Sequence, residues 1–472
     1  MPDPGSIDSA QPPVYPAPQP YTANILRRLR PGLRSWFALL NEWDFRVPLG
    51  RISVMGRPLF LVNEPALVRQ VLVDQVERYP KHPLLFWLLQ PLIGRGLFSV
   101  NGEEWARQRR LVDQAFQVAQ LRRVVPQMQG AVAALLERLE AVGEGEAEKE
   151  VDIEAEMTLV TADVIVRTIV SRPLAAAEAA AILRSFQRYQ RRAGQALVLR
   201  LLRLPGPLLQ RYLAHHARPI RRWIQAVVEE RLAAPATSAP PPRDLLQALL
   251  EARDGDTNSG FSAEELVDQV CVLFLAGHET SASALAMAAY LLARFPAAQD
   301  RLRREVEAAL GGEQRPLGFD DLRLLPYGTA VFNETLRLYP PLSFFIREAA
   351  ADGQLGESRC PMASLLTVSP WVIQRHERHW SDPHSFRPER FLAQEASEEE
   401  RRWAREAWLP FGLGPRKCPG AAFALQESLL VLGELVRRQV LLPSPDHTPD
   451  LVGRLTLRSR NGIRLRLRPL RS

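Results

Sequence analysis

One cysteine sits where its neighbours could make it reactive. Cys418 lies inside Phe411-Gly-Leu-Gly-Pro-Arg-Lys-Cys-Pro-Gly420, a run with three glycines and two prolines. Such a run forms a tight loop whose backbone can approach a flat ligand closely. The apolar, helix-periodic residues 421–438 follow, which predicts Cys418 at a helix cap and Pro419 in the first turn, where a missing N–H does no harm. The positive end of that helix, with Arg416 and Lys417, favours thiolate over thiol. A thiolate held this way is a soft axial ligand for iron. The plainer alternative is a cysteine that merely falls in a turn, and the rest of the chain has to decide between the two.

A second chemical patch interrupts the longest apolar run. Residues 262–295 read as one helix, with Ser262 and Glu265 as a capping box and Pro296 as its stop. At 1.5 Å per residue it would span roughly 50 Å. In its centre stands Gly277-His-Glu-Thr-Ser281. Ala276 and Gly277 are small enough to admit a planar ligand, Thr280 can give up its backbone bond and open a gap for water, and Glu279 can relay protons. His278 is expected to face protein or solvent. A carboxylate here argues against a lipid-facing span.

Three further spacings belong with these. Trp105 and Arg109 are four apart on a predicted helix, so an indole N–H and a charged fork share one face. Glu334 and Arg337 can pair on another helix, and Phe386-Arg-Pro-Glu-Arg-Phe391 supplies a third partner, Arg390.

The pattern Phe-x-x-Gly-x-Arg-x-Cys-x-Gly resembles the haem-binding loop of the cytochrome P-450 family, the haem-thiolate monooxygenases. Trp-x-x-x-Arg, Ala-Gly-x-Glu-Thr, Glu-x-x-Arg and Pro-Glu-Arg-Phe precede it in that family's order, and the resemblance runs from about residue 45 to the end. It implies a mainly α fold with a small β-rich lobe. One haem b would lie between the long helix and the helix after Cys418. By resemblance Cys418 ligates iron, while Phe411, Gly412 and Gly420 shape the loop. Trp105, Arg109, Arg347 and Arg416 meet the propionates, Ala276 and Gly277 border the haem, and Glu279 and Thr280 deliver protons. Phe86, Trp87, Leu342, Phe344, Phe345 and Leu455 are the implied substrate contacts. Two positions depart from the family pattern: Ser343 stands where a proline is common, and Gln374 replaces the histidine of a His-Arg pair.

The implied activity inserts one oxygen atom of O2 into a lipophilic substrate, a terpenoid, steroid or fatty-acyl compound. No flavin or iron–sulfur segment is evident, so electrons would come from a ferredoxin or flavodoxin with its NAD(P)H-dependent reductase. Arg107, Arg110, Arg122, Arg123, Arg401, Arg402, Arg405 and Lys417 are candidates for its docking face. A peroxide-driven peroxygenase or haem-thiolate isomerase is the alternative enzyme, and a non-catalytic haem sensor or carrier is the third class. The Glu279-Thr280 pair speaks against the second.

Composition sets the remaining bounds. Apolar residues make up 46% and charged residues 24% of 472, which allows a large globular core. Three cysteines without C-x-x-C spacing argue against a disulfide framework or zinc site and for a reducing compartment. The net charge of +7 comes without a nucleic-acid motif and suits an acidic protein partner. Residues 1–25 read as a proline-rich disordered arm and 26–472 as a single domain, a monomer. With no apolar leader or anchor, the reading is cytoplasmic. Residues 51–62 predict a hairpin, 65–72 a helix, 80–98 an irregular apolar segment, 234–242 a surface loop, and 454–467 a hairpin turning at Asn461-Gly462.

Overall fold

The apolar run forms a single helix, Ala263–Arg294, of 32 residues. Its start is the expected capping box: Ser262 N donates to Glu265 Oε2 at 2.8 Å and Glu265 N to Ser262 Oγ at 3.2 Å. Pro296 does not simply end it, because the proline opens the next helix, Pro296–Leu310. Among the described residues this is the one helix long and apolar enough to cross a membrane, and 78% of its apolar window is buried inside the protein, as in a core helix. The computed structural model describes residues 13–20, 32, 35–54, 56–141, 147–201, 204–233 and 242–470. The expected loop at 234–242, all but its last residue, and most of the amino-terminal arm lie outside them.

The strands are β1 (Leu49–Val54), β2 (Arg57–Val62), β3 (Lys149–Asp152), β4 (Phe345–Glu348), β5 (Gly353–Leu355), β6 (Ser358–Cys360), β7 (Leu365–Val368), β8 (Gln439–Pro443), β9 (Leu451–Gly453), β10 (Leu457–Ser459) and β11 (Arg464–Pro469). The largest sheet has the order β1-β2-β7-β4. The predicted first hairpin is present, with Gly56 supplying the positive φ of its turn. The predicted last hairpin is not. β10 pairs with β9, and β11 pairs with β3 and β8, so Asn461-Gly462 links two sheets. Alternation marks a strand's faces but does not choose its partner.

The chain forms two compact units. The first comprises residues 1–79, 132–160 and 279–472, and the second 80–131 and 161–278. The first carries the sheets and a core in which Phe60, Val62, Val68, Tyr79, Leu355, Leu366, Trp380 and Leu409 are buried together. It also corrects the disorder expected over part of the arm. Gln19 bridges Asn41, and Tyr15 stacks on Trp371 with ring centroids 5.9 Å apart, while the Arg375 guanidinium lies 5.2 Å from its ring. An aromatic ring and a buried cation give these few residues enough contact to offset ordering them.

In the second unit, helices Ala176–Leu201 and Gly206–Ala233 pack along one another. The segment expected to be irregular contains a helix, Pro83–Ile93, started by Pro83 and capped by His82, whose Nδ1 accepts from Leu84 N at 3.1 Å. It is apolar on nearly every side, so it shows no 3.6-residue contrast to read. Its end is pinned by Asp268 of the long helix, which accepts from Arg95 N at 2.8 Å and pairs with Arg221 at 2.8 Å. Gly94 is required there: a Cβ would come within 2.1 Å of Asp268 Oδ1, and its φ is +52°.

Candidate active site

The cysteine loop is shaped by its glycines. Gly412 and Gly414 have φ of +73° and +71°, and a Cβ on Gly414 would meet the Leu72 carbonyl at 2.4 Å. A short turn over Gly414–Arg416 follows, and Cys418 N donates to the Phe411 carbonyl at 2.8 Å, which closes the loop. The next helix, Ala421–Arg438, has Gly420 as its N-cap, so Cys418 stands two residues before the cap rather than at it. The extra turn at Pro419-Gly420 accounts for the offset. Of the three cysteines, Cys271 and Cys360 are buried and Cys418 alone is exposed. Burial pushes the Cys271 thiol up to about 12, with Arg221 opposing, so that residue is held as an inert thiol.

Two arginines, Arg416 of the loop and Arg347 of β4, lie close enough for the charge of one to be felt by the other. Arg416 donates Nη1 to the carbonyls of Val76 and Tyr79 at 3.2 and 3.0 Å. Arg347, on β4, donates to the Ile346 carbonyl, and its Nε meets no acceptor. Burial, then the charge of Arg416, pushes Arg347 down to about 10. Burial also lowers Arg416, with only Glu77 opposing. The Arg347 Nε, buried and without an acceptor, would suit a carboxylate such as a haem propionate. The Phe345 ring lies 3.8 Å from where a Gly412 Cβ would stand, so this residue packs on the loop itself.

On the long helix the small residues play different parts. Ala276 is exposed and Thr280, four residues on, is half-buried, so one face of an otherwise buried helix opens there. Gly277 does not border that opening: a Cβ on it would strike Ile165 Cδ1 at 2.2 Å, so its smallness serves helix packing. His278 is fully buried, its ring lies 4.7 Å from both Phe186 and Phe274, and its Nδ1 is 2.6 Å from the Phe274 carbonyl. Glu279 is buried, and both its oxygens are engaged. Thr456 Oγ1 donates to Oε2 and Arg458 Nη2 to Oε1, each at 2.7 Å. Neither partner was legible in the sequence. A buried acid must find a donor, but the chain offers 60 Lys plus Arg residues from which to choose.

Trp105 and Arg109 do share a helix, Gly102–Ala115, and both are partly buried; Arg109 also pairs with Asp113 at 2.8 Å. Phe86 and Trp87 are half-buried on the helix after Pro83, with the Arg200 guanidinium 6.0 Å from the Trp87 ring. Leu342 is half-buried, and Leu455 lies between β9 and β10. Phe344 is turned towards packing, its ring centroid 4.0 Å from that of Trp36.

The Glu334 cluster is fully internal. Arg337 binds both Glu334 oxygens at 2.6 and 2.8 Å, Arg390 approaches at 3.6 Å, and all three side chains are 0% exposed. Arg337 also donates to the carbonyls of Gln374, Pro383 and Ser385, which satisfies its fork. Gln374 is a tie in its own right: its amide donates to the Leu336 and Arg337 carbonyls and accepts from Leu409 N at 2.7 Å. It fastens that helix to the residues leading into the cysteine loop.

Several arginines of the expected docking face are already neutralised. Arg107 pairs with Glu265 at 2.7 Å, Arg110 with Asp254 at 2.6 Å, and Arg402 with Glu406 at 3.3 Å. Arg401 donates to the Ala393 and Ala396 carbonyls. Lys417, Arg405, Arg122 and Arg123 are exposed.

A mainly helical chain with an exposed cysteine in a glycine-shaped loop, a buried arginine Nε on β4 without an acceptor and an acid–alcohol pair on the helix Ala263–Arg294 has the parts a haem-thiolate protein needs. The cytochrome P450 family model matches residues 33–463, and the chain belongs to that family. Over 441 residues it is 33% identical to cyclooctatin synthase of Streptomyces melanosporofaciens, covering 92% of this chain and 90% of that one. Pentalenene oxygenase of Streptomyces avermitilis is 31% identical over 422 residues, 89% and 90% of the two chains. A retinoic acid-bound cyanobacterial protein, CYP120A1, superposes with a TM-score of 0.76 at 26% identity, over 90% of this chain and 92% of that one. The protein is a P450 monooxygenase, and its cofactor is haem b bound through a cysteine thiolate. The family works with O2, a substrate and a source of electrons.

Proposed function

We propose that this chain inserts an oxygen atom from O2 into a lipophilic, unsaturated organic substrate, by hydroxylation or epoxidation, with electrons from a separate ferredoxin or flavodoxin and its NAD(P)H-dependent reductase. The observation that carries the chemistry is Cys418, the single exposed cysteine, in a loop closed by its own N–H onto Phe411. Cys418 Sγ would bind the iron. Arg347 and Arg416, with Trp105 and Arg109 by family resemblance, would take the propionates, and Phe411, Gly412 and Gly420 would keep the loop backbone close. When bound, the haem supplies reductive activation of O2, and the thiolate donates electron density to it.

The protein's own share is positioning and proton handling. Ala276 and Thr280 form the open face of the long helix; the Thr280 hydroxyl orders water there, and Glu279 brings protons from solvent to Thr280 Oγ. By family resemblance, Phe86, Trp87, Leu342 and Leu455 would each contact the substrate. Phe344 and Phe345, which pack on Trp36 and Gly412, would act on the substrate indirectly. Support for an unsaturated lipophilic substrate comes from the relatives' names, pentalenene oxygenase and cyclooctat-9-en-7-ol 5-monooxygenase. The three free cysteines suit the reducing, cytoplasmic setting of this reading.

The test is the visible spectrum of the reduced, carbon monoxide-treated protein. The thiolate-shifted band is expected for the native chain and its loss for Cys418→His. A histidine-type spectrum with Cys418 intact would overturn the reading.

A further inference from the structure

Glu279 is the acid expected to pass protons to Thr280, yet the structure shows it held on both oxygens by the carboxy-terminal strand pair. Thr456 and Arg458 each bind it at 2.7 Å, and Ser283, one helical turn on, donates to the Leu457 carbonyl at 2.7 Å. Arg458 does not serve Glu279 alone. It lies 3.6 Å from Glu154 Oε1 and donates Nη1 to Thr158 Oγ1 at 3.1 Å, while Glu154 accepts from Ser459 N at 3.1 Å. The Glu279 and Glu154 side chains are 6% and 12% exposed. One guanidinium therefore stands between two buried carboxyls, with Asp152 as a further negative charge near Glu154.

We propose that Thr456 and Arg458 are positioning residues that store Glu279 as a doubly bonded carboxylate, and that Glu154, by competing for Arg458, sets when Glu279 is released to serve Thr280. This rests on the reading of Glu279 and Thr280 as the proton-delivery pair. A carboxylate that accepts two short bonds, one from a cation, is stabilised in its charged form and has no proton to give. Delivery needs the hold to weaken, so that a proton from solvent can enter on a Glu279 oxygen and leave towards Thr280 Oγ while that hydroxyl passes its own proton on to water in the site, with no net change on either side chain.

The second acid supplies that control. With Glu154 neutral, Arg458 belongs to Glu279. With Glu154 ionised, the same cation is shared and each hold loosens. Burial raises the Glu154 carboxyl, and Arg458 opposes the rise. For Arg458 burial acts against the charge, but Glu279 and then Glu154 raise it overall, so the guanidinium stays charged while the acids exchange it. The switch therefore works by sharing one cation. It loosens as pH rises through the Glu154 titration, above the usual carboxylate range.

The test uses the haem-loaded protein and two readouts, the carbon monoxide stretch of the reduced complex and, with a ferredoxin and its NAD(P)H-dependent reductase added, substrate-free NAD(P)H oxidation as a function of pH. Arg458→Gln and the milder Thr456→Val should shift or split the stretch, and adding Glu279→Gln should remove that change. Both should raise the substrate-free oxidation severalfold, with Arg458→Lys recovering part of the native value. Glu154→Gln should lower the oxidation and flatten its pH profile. An unmoved stretch in Arg458→Gln and Thr456→Val, with Glu154→Gln keeping the native profile, overturns the proposal while leaving the haem-thiolate reading intact. Absence of a thiolate-type spectrum in the native protein brings down both.

Discussion

Glu427, on the helix that follows the cysteine loop, is buried, and desolvation pushes its carboxyl up to about 8 against the opposing Ser281 hydroxyl. Such a group binds a proton in the folded chain that the unfolded chain releases near 4.5. Its contribution to stability is therefore lost as pH rises through that window and levels off above about 8. The slope is at most about 1.4 kcal/mol per pH unit. Glu427→Gln keeps the shape and removes the charge, so denaturant unfolding of this variant should show a flatter stability profile and a gain at pH above neutral. Thr280 makes a different kind of prediction. Its hydroxyl lies on the open face of the long helix, so Thr280→Ala should leave the substrate-induced spectral change in place while product formed per O2 consumed falls several-fold. Of the two, only Thr280 stood out in the sequence, through its motif. The protonation of Glu427 depends on what the fold stacks around it, which no local spacing records.

Elements differ in how much of themselves they disclose. The long helix was legible because length, a capping box and a proline stop agree over more than thirty residues, as the observed 32-residue span bears out. The helix at Pro83–Ile93 was hidden because apolar residues on all sides leave no phase to detect. Strand pairing was hidden for a related reason: β10 and β11 alternate alike, and only the β3–β11–β8 and β9–β10 registers show that they belong to different sheets. Gly277 shows how a motif residue can serve the element instead of the site. Its contact with Ile165 predicts that Gly277→Ala costs about 1–3 kcal/mol by overpacking, with Ile165→Val recovering part by removing Cδ1. Thermal unfolding of the two single variants and the double reads this directly. If Gly277 instead bordered the cofactor, Ile165→Val would give no rescue. The Glu334 cluster is a stricter constraint, since both arginines and the acid are fully internal. Arg337→Ala strands a buried carboxylate and should cost about 3–5 kcal/mol, seen as loss of soluble haem-loaded protein.

At the scale of the whole molecule the basic balance looked like a single property and proves to have two parts. Of the chain's cations, Arg107 is paired with Glu265, Arg110 with Asp254 and Asp256, and Arg402 one turn away with Glu406. Composition counts such residues as surface charge, yet their fields are largely cancelled before reaching a partner. Lys417, in the cysteine loop, and Arg405, near the end of Glu398–Glu406, remain exposed on the unit that carries Cys418. Electron delivery by a small acidic protein would be steered by cations of this second kind, with a rate that falls as salt rises. Charge reversal separates the two groups. Lys417→Glu with Arg405→Glu should slow reduction by an acidic ferredoxin at low salt and flatten the salt dependence, with little change in unfolding. Arg110→Glu should act mainly on stability, because it sets a third acid against Asp254 and Asp256, and should leave the salt dependence of reduction near the native one. Stopped-flow reduction across ionic strengths, paired with thermal melts, distinguishes these outcomes. Equal effects of both changes on the salt dependence would mean that the paired arginines open when a partner docks.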